Sequence, residues 1–367
     1  MTSVYHQRTL VLTTSVVNPK DLFSKPLRQE RLFYFYPMRY ILSILIATGI
    51  LTSCSSTPEL VQVTNQGPAQ GSTYSISYQV PQGVDYREGI DSILKAMDQQ
   101  MSLWVSDSEI SRLNRGDSVR ISTAFARVIT LSKLYTELTS GQFDITIAPV
   151  IKAWGFSGGD YNDNVNVDSL LQFVGSAKLA LPEPDSLYAL PQGFQVDVNA
   201  IAQGYTVDII ADYLVAKGVS NYMVEVGGEV RCKGKNVKGR GWRIGIEKPA
   251  EDRIAGQFQT IIALDSMSLA TSGNYRKFWV DESGQKVVHT IDPETGQPVI
   301  SNVLSASIIA SNATLADALA TACMVAGPNA LQLVAQFPDV EAYFIVGNVK
   351  GELEVQKTEG WSAYEPN

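Results

Sequence analysis

The chain has 367 residues, 45% of them hydrophobic and 18% charged, so it carries enough apolar matter for a sizeable core and does not read as disordered. With 29 Lys and Arg against 37 Asp and Glu the net charge is −8, a balance that argues against nucleic acid as a partner. Three cysteines without a CxxC pair, and two histidines, leave little from which to build a zinc centre.

In chain order, Met38 and Arg39 precede an apolar run over residues 40–50 that ends in Leu51, Thr52, Ser53 and Cys54. One positive charge, a short apolar stretch and small residues before a cysteine are the parts of an export signal, and the run falls short of the ~20 residues of a spanning helix. The tetrapeptide resembles a bacterial lipobox. That implies cleavage before Cys54, a lipid on its sulfur, and a membrane anchor in the cell envelope facing the periplasm or the exterior. Residues 1–37 sit ahead of this signal, so either Met38 is the true start or the leader is long. Residues 54–367 carry 23 Lys and Arg against 35 Asp and Glu, a net charge of −12, and His289 is their single histidine. Cys232 and Cys323 remain as one disulfide or two buried thiols.

Residues 54–69 are polar and contain two prolines, which suits a lipidated tether, with the folded domain running over 70–367. "STYSISYQV" alternates as a half-buried strand does. Ile90, Ile93, Leu94, Met97 and Met101 then recur at three and four, which predicts an amphipathic helix over 88–103. A second helix is expected over 124–140, closed by Gly141 in a left-handed cap. "YNDNVNVDSLLQFVG" begins with turn formers and ends helical. "FQVDVNAIAQGYTVDIIADYLVAKG" reads as strand, turn and helix ending at Gly218. "YMVEVGGEVRCKG" and "WRIGIEKP" read as strands, "TLADALATACMVAG" as a helix and "VEAYFIVG" as a strand. Strands and helices that do not strictly alternate predict an α+β fold with mixed, mostly antiparallel sheets and packed helices.

Four pieces of this chain carry groups suited to chemistry. Asp317 and Thr321 are four apart, so a helix presents a carboxylate and a hydroxyl on one face, oxygen ligands suited to a hard cation such as Mg²⁺. The competing explanation makes Thr314 an N-cap and Asp317 its capping-box partner. "DVNAIAQGYTVD" places backbone amides at a turn into a helix, where an anion is favoured. "ATSGNYRKF" joins the Ser272-Gly273 turn to Arg276 and Lys277, cations for phosphate or a solvated pair. "EVGGEV" needs its glycines either for positive φ or for contact with a flat ligand.

Together these supply carboxylate, hydroxyl, amides and cations for a pyrophosphate with its metal. The succession "FDITIAPVIKAWGF", "DVNAIAQGYTVD", "VEVGGEVRCKG", "ATSGNYRKF", "HTIDPETGQPV" and "ADALATA", over roughly residues 70–345, resembles the ApbE family, the FAD:protein FMN transferases. The resemblance implies an ApbE-like fold, either one unit or two lobes with FAD between them. It also implies transfer of FMN from FAD to a Ser or Thr hydroxyl of an acceptor flavoprotein, with release of AMP. Exported subunits of membrane electron-transfer complexes are the acceptors it suggests.

By the same resemblance, Mg²⁺ is expected on Asp317, Thr321 and the carbonyl of Ala200. FAD contacts are expected at Gln70, Trp104, Gln142, Phe143, Asp144, Asp197, Gln203, Ser272 and Gly273. Trp104 stands where the family commonly has Tyr, and Gln203 where it has a charged residue. Trp104 either stacks on a flat ring or is a core aromatic. "HTIDPETGQPV" is a turn by its Pro and Gly and is expected to border FAD. His289 either takes the proton of the attacking hydroxyl or positions the loop by a hydrogen bond. Two other functions would use much of the same site: hydrolysis of FAD to FMN and AMP, and storage of FAD without turnover.

Overall fold

The computed structural model describes residues 59–159, 166–249, 258–274, 278–280, 286–348, 350 and 352–366. Cys54, Met38, Arg276 and Lys277 lie outside them. The described residues form one compact unit.

Its centre is an eight-stranded sheet whose strands, numbered here in chain order, are β1 (Leu60–Ala69), β2 (Ser72–Pro81), β3 (Tyr222–Val226), β4 (Glu229–Lys233), β5 (Ser268–Gly273), β6 (Val303–Ala310), β7 (Glu341–Gly347) and β8 (Leu353–Lys357). Each strand pairs antiparallel with the next, so the sheet is a meander interrupted by insertions. Four longer helices are α1 (Arg87–Met101), α2 (Thr123–Leu138), α3 (Ala202–Ala216) and α4 (Ala313–Ala326).

Period-two burial splits the strands between two faces. Ala306, Ile308 and Phe344 join α2 and α4 in the largest core cluster. Val207, Ile210 and Leu214 of α3 pack with Tyr78, Val224 and Val226 of the sheet. The odd residues Leu269, Ile309, Tyr343 and Ile345 face the opposite way, where a hairpin of Trp242–Glu247 and Phe258–Leu264 and the buried Trp361 cover them. Cys232 and Cys323 are free, buried thiols in two different clusters.

Two local expectations change, and the left-handed cap at Gly141 is present. Residues 60–69 are strand β1, not tether: the segment is an edge strand whose only buried positions are Asn65 and Ala69, and Pro68 is tolerated there. Residues 194–198 join no sheet, because the Asn114 side chain supplies the two bonds a neighbouring strand would: its Nδ2 donates to the Val196 carbonyl and its Oδ1 accepts from the Val196 amide, both at 2.8 Å. The left-handed turn closing α2 begins at Ser140 (φ 52°) and continues through Gly141 (φ 87°). Gly141 donates back to the Thr136 carbonyl.

Candidate functional site

Helices α3 and α4 meet at the point where Gly204 lacks a side chain. A Cβ there would stand 2.4 Å from the Ala313 carbonyl oxygen and 2.8 Å from Cβ of Asp317, so the two backbones approach as only glycine permits. The Gly204 amide donates to Asp317 Oδ2 at 3.0 Å. Gly204 lies in the first turn of α3, where an amide has no partner within the helix, and Ala200 stands just ahead of the N-cap Ile201. One turn past Asp317, Thr321 Oγ1 lies 3.2 Å from Ser272 Oγ at the end of β5. Asp317 is 5% exposed, and burial pushes its carboxyl up to about 7 against the pull of the Gly204 amide.

A buried carboxylate with one amide partner and a hydroxyl one turn away on the same helix are oxygen ligands of the kind a hard divalent cation takes. Among the described residues no three His, Cys, Asp or Glu side chains converge. The capping-box explanation fails, because Asn312 is the N-cap of α4 and accepts from the Leu315 amide at 2.9 Å.

Gln203 lies at the same helix start, its Nε2 2.3 Å from where a Cβ on Gly227 would be. Gly227 and Gly228 both take positive φ, 69° and 116°, which accounts for the glycine pair in the β3–β4 turn. Gln70, in the β1–β2 turn, donates to Thr206 Oγ1 at 2.7 Å, while its buried Oε1 has no partner. Gln142 Oε1 is likewise buried without a partner, an acceptor available to a ligand donor.

A second group gathers on one loop that the sequence reading did not single out. Phe156 meets the His289 ring edge-on at 6.3 Å between centroids, and Ser157 donates to Asp197 Oδ2 at 2.8 Å. Beside them, Gly158 lies against the indole of Trp104. Burial raises the Asp197 carboxyl above the usual carboxylate range, opposed by bonds from the Asn199 amide and Ser157. Trp104 is 76% exposed, so it is a surface platform and not a core aromatic. The signal for this loop was present in "WGFSGG", where small residues follow two aromatics.

Two of the expected ligand residues are engaged within the protein. The Phe143 ring is 2% exposed and packs edge-on against Tyr135, and its amide donates to Thr139 Oγ1 at 3.2 Å. Both oxygens of Asp144 are occupied: Oδ1 accepts from the Thr146 amide, the Thr146 hydroxyl and the Ser176 hydroxyl, and Oδ2 from the Ser176 amide. Gly273 ends β5, opposite Ser305.

The expected turn after His289 is present. Ile291 bridges Pro298, the Asp292 carboxylate accepts from the Glu294 amide, and Gly296 takes φ 66°. Trp154 Nε1 ties the turn down through the Gly296 carbonyl at 2.8 Å.

Comparison with known proteins identifies the family. The ApbE family model matches residues 70–344. The FAD:protein FMN transferase of Vibrio cholerae is 35% identical over 328 residues, covering 86% of this chain and 96% of its own length. That of Haemophilus influenzae is 33% identical, covering 86% and 95%. The flavin transferase ApbE structure from Vibrio cholerae superposes with a TM-score of 0.71 at 33% identity, over 83% of this chain and 100% of that one. The apo flavinyl transferase ApbE of Pseudomonas stutzeri gives 0.73 at 30% identity, over 83% and 97%. This chain belongs to the ApbE family.

Proposed function

We propose that this protein is an FAD:protein FMN transferase. The hydroxyl oxygen of a Ser or Thr on an acceptor protein attacks the FMN phosphorus of FAD, the bond to the bridging oxygen breaks, and AMP leaves. The observation that carries the reading is the buried Asp317 carboxylate held by the Gly204 amide, with Thr321 and Ser272 beside it, in a chain of this family.

In this reading Asp317, Thr321 and the Ala200 carbonyl hold Mg²⁺, which when bound supplies charge neutralisation to the pyrophosphate. The positive end of the α3 dipole favours the phosphate groups. Trp104 offers a flat face to an aromatic ring, and the free acceptors of Gln70 and Gln142 meet donors on FAD. His289 takes the proton of the attacking hydroxyl. A lipid on Cys54 tethers the enzyme to the cell envelope outside the cytoplasm, where the acceptor is an exported subunit of a membrane electron-transfer complex. Among the described residues no helix is long and apolar enough to cross a membrane.

The test mixes residues 55–367 with FAD, Mg²⁺ and a candidate acceptor domain, then weighs the denatured acceptor, with an EDTA control. A metal-dependent gain of one FMN with AMP released is the expected result. Free FMN and AMP without an adduct favour hydrolysis, and intact FAD throughout favours a storage protein.

A further inference from the structure

The reciprocal bonding between α3 and α4 reaches beyond the residues that meet the metal. Gly204 and Asp208 are one turn apart on α3, and Ala313 and Asp317 one turn apart on α4. The α3 amide of Gly204 binds the α4 carboxylate of Asp317 at 3.0 Å. In return, the α3 carboxylate of Asp208 accepts from the α4 amides of Ala313 at 3.0 Å and Thr314 at 2.9 Å, and from the Thr314 hydroxyl at 2.5 Å. Arg231 of β4 clamps Asp208 from outside, Nη1 to Oδ1 at 3.0 Å, and reaches Asp212 at 3.1 Å.

Asp208 is 8% exposed, so these donors and not water satisfy it. The first-turn amides of a helix have no partner within it, and a carboxylate is favoured at that end. Here two of them are taken by another helix, while the helix's own cap, Asn312, serves Leu315. A bond along the helix's own chain leaves α4 free to slide against α3. The bonds to Asp208 do not.

We infer that Asp208 is a positioning residue for the metal site, fixing the axial register of α4 against α3 and thereby the place of the Asp317 carboxylate at Gly204. The inference rests on the reading of Asp317 as a metal ligand. Asp208 touches neither metal nor substrate; it acts through the helix that carries the ligand. Its removal shifts Asp317 by relaxing the pair of helices, in the way that loss of an outer hydrogen-bond partner weakens a metal site by roughly 10–100-fold.

The test is Mn²⁺ titration in the presence of FAD, followed by the electron paramagnetic resonance of free Mn²⁺, on the wild type, Asp208→Ala, Asp208→Asn, Asn312→Ala and Asp317→Ala. Asn312→Ala removes the helix's own cap and is expected to lower the melting temperature while keeping wild-type Mn²⁺ affinity. Asp208→Ala is expected to weaken Mn²⁺ binding about tenfold or more, with Asp208→Asn between it and the wild type. Folded Asp208→Ala with wild-type Mn²⁺ affinity overturns the inference. If that variant does not fold, wild-type affinity in Asp208→Asn overturns it. Equal loss of affinity in Asn312→Ala also does so, since any weakening of the helix start would then suffice. Wild type binding no more Mn²⁺ than Asp317→Ala defeats the metal reading itself, and the inference with it.

Discussion

The Gly204 amide donates to Asp317 Oδ2 at 3.0 Å across a helix contact in which a Cβ on Gly204 would lie 2.4 Å from the Ala313 carbonyl oxygen. The obstructing atom is backbone, so α3 and α4 must move apart to admit a methyl group. Gly204→Ala is therefore expected to cost about 1–3 kcal/mol of stability and to lower turnover by misplacing Asp317. Chemical denaturation and the acceptor-mass assay measure both, and an unchanged midpoint with full turnover would remove the close contact from the mechanism.

Asp144 is expected to behave as a structural residue. Replacing it by Ala strips partners from two amides and two hydroxyls in a buried setting. The expected loss is about 3 kcal/mol or more, with FAD affinity retained below the unfolding transition. Lost FAD affinity at undiminished stability would return Asp144 to the ligand contacts.

For His289, replacement by Ala is expected to lower transfer by about 100-fold or more, the scale of a positioned proton acceptor, while FAD still binds. Transfer close to wild type with FAD bound would discard the base role and leave His289 as a partner of Phe156 that holds the loop.

The raised Asp197 carboxyl sets a pH dependence with a definite sign. Burial, outweighing its bonds to Asn199 and Ser157, makes the folded protein bind this proton more tightly than the unfolded chain does. The stability so contributed is full below the ordinary carboxylate pKa of about 3.9 and is lost as pH rises through the higher folded value. Thermal melts of wild type and Asp197→Asn between pH 4 and pH 8 should therefore diverge, with the wild type losing ground as pH rises. A difference that stays constant, or grows in favour of the wild type, would contradict the burial-driven shift.

Much of the helix and strand content was legible because it repeats. Ile90, Leu94, Met97 and Met101 are the buried face of α1, and the alternation in "STYSISYQV" is that of β2. Strand β1 was hidden by its own exposure, since an edge strand needs no apolar period. Residues 194–198 looked like a strand because Val196 and Val198 are buried as strand residues would be, yet a single side chain, Asn114, takes the place of the neighbouring strand. Phe143 and Asp144 lay within the block "FDITIAPVIKAWGF" that resembled the family, and nothing in their spacing told that one was core and the other already bonded.

The sequence by itself determined that Asp317 and Thr321 share a helix face, because a period of 3.6 is local and independent of what surrounds the helix. It also determined the turn at Gly296, whereas at Gly227 and Gly228 it left positive φ and contact with a flat ligand open, and the structure shows positive φ. The tertiary structure alone decided what that face meets. Gly204 and Asp317 are 113 positions apart, and Asp208 and Ala313 are 105. A hydrogen bond of about 3 Å between such positions follows from how helices pack, since close approach depends on the sheet beneath both of them and leaves no period in the chain.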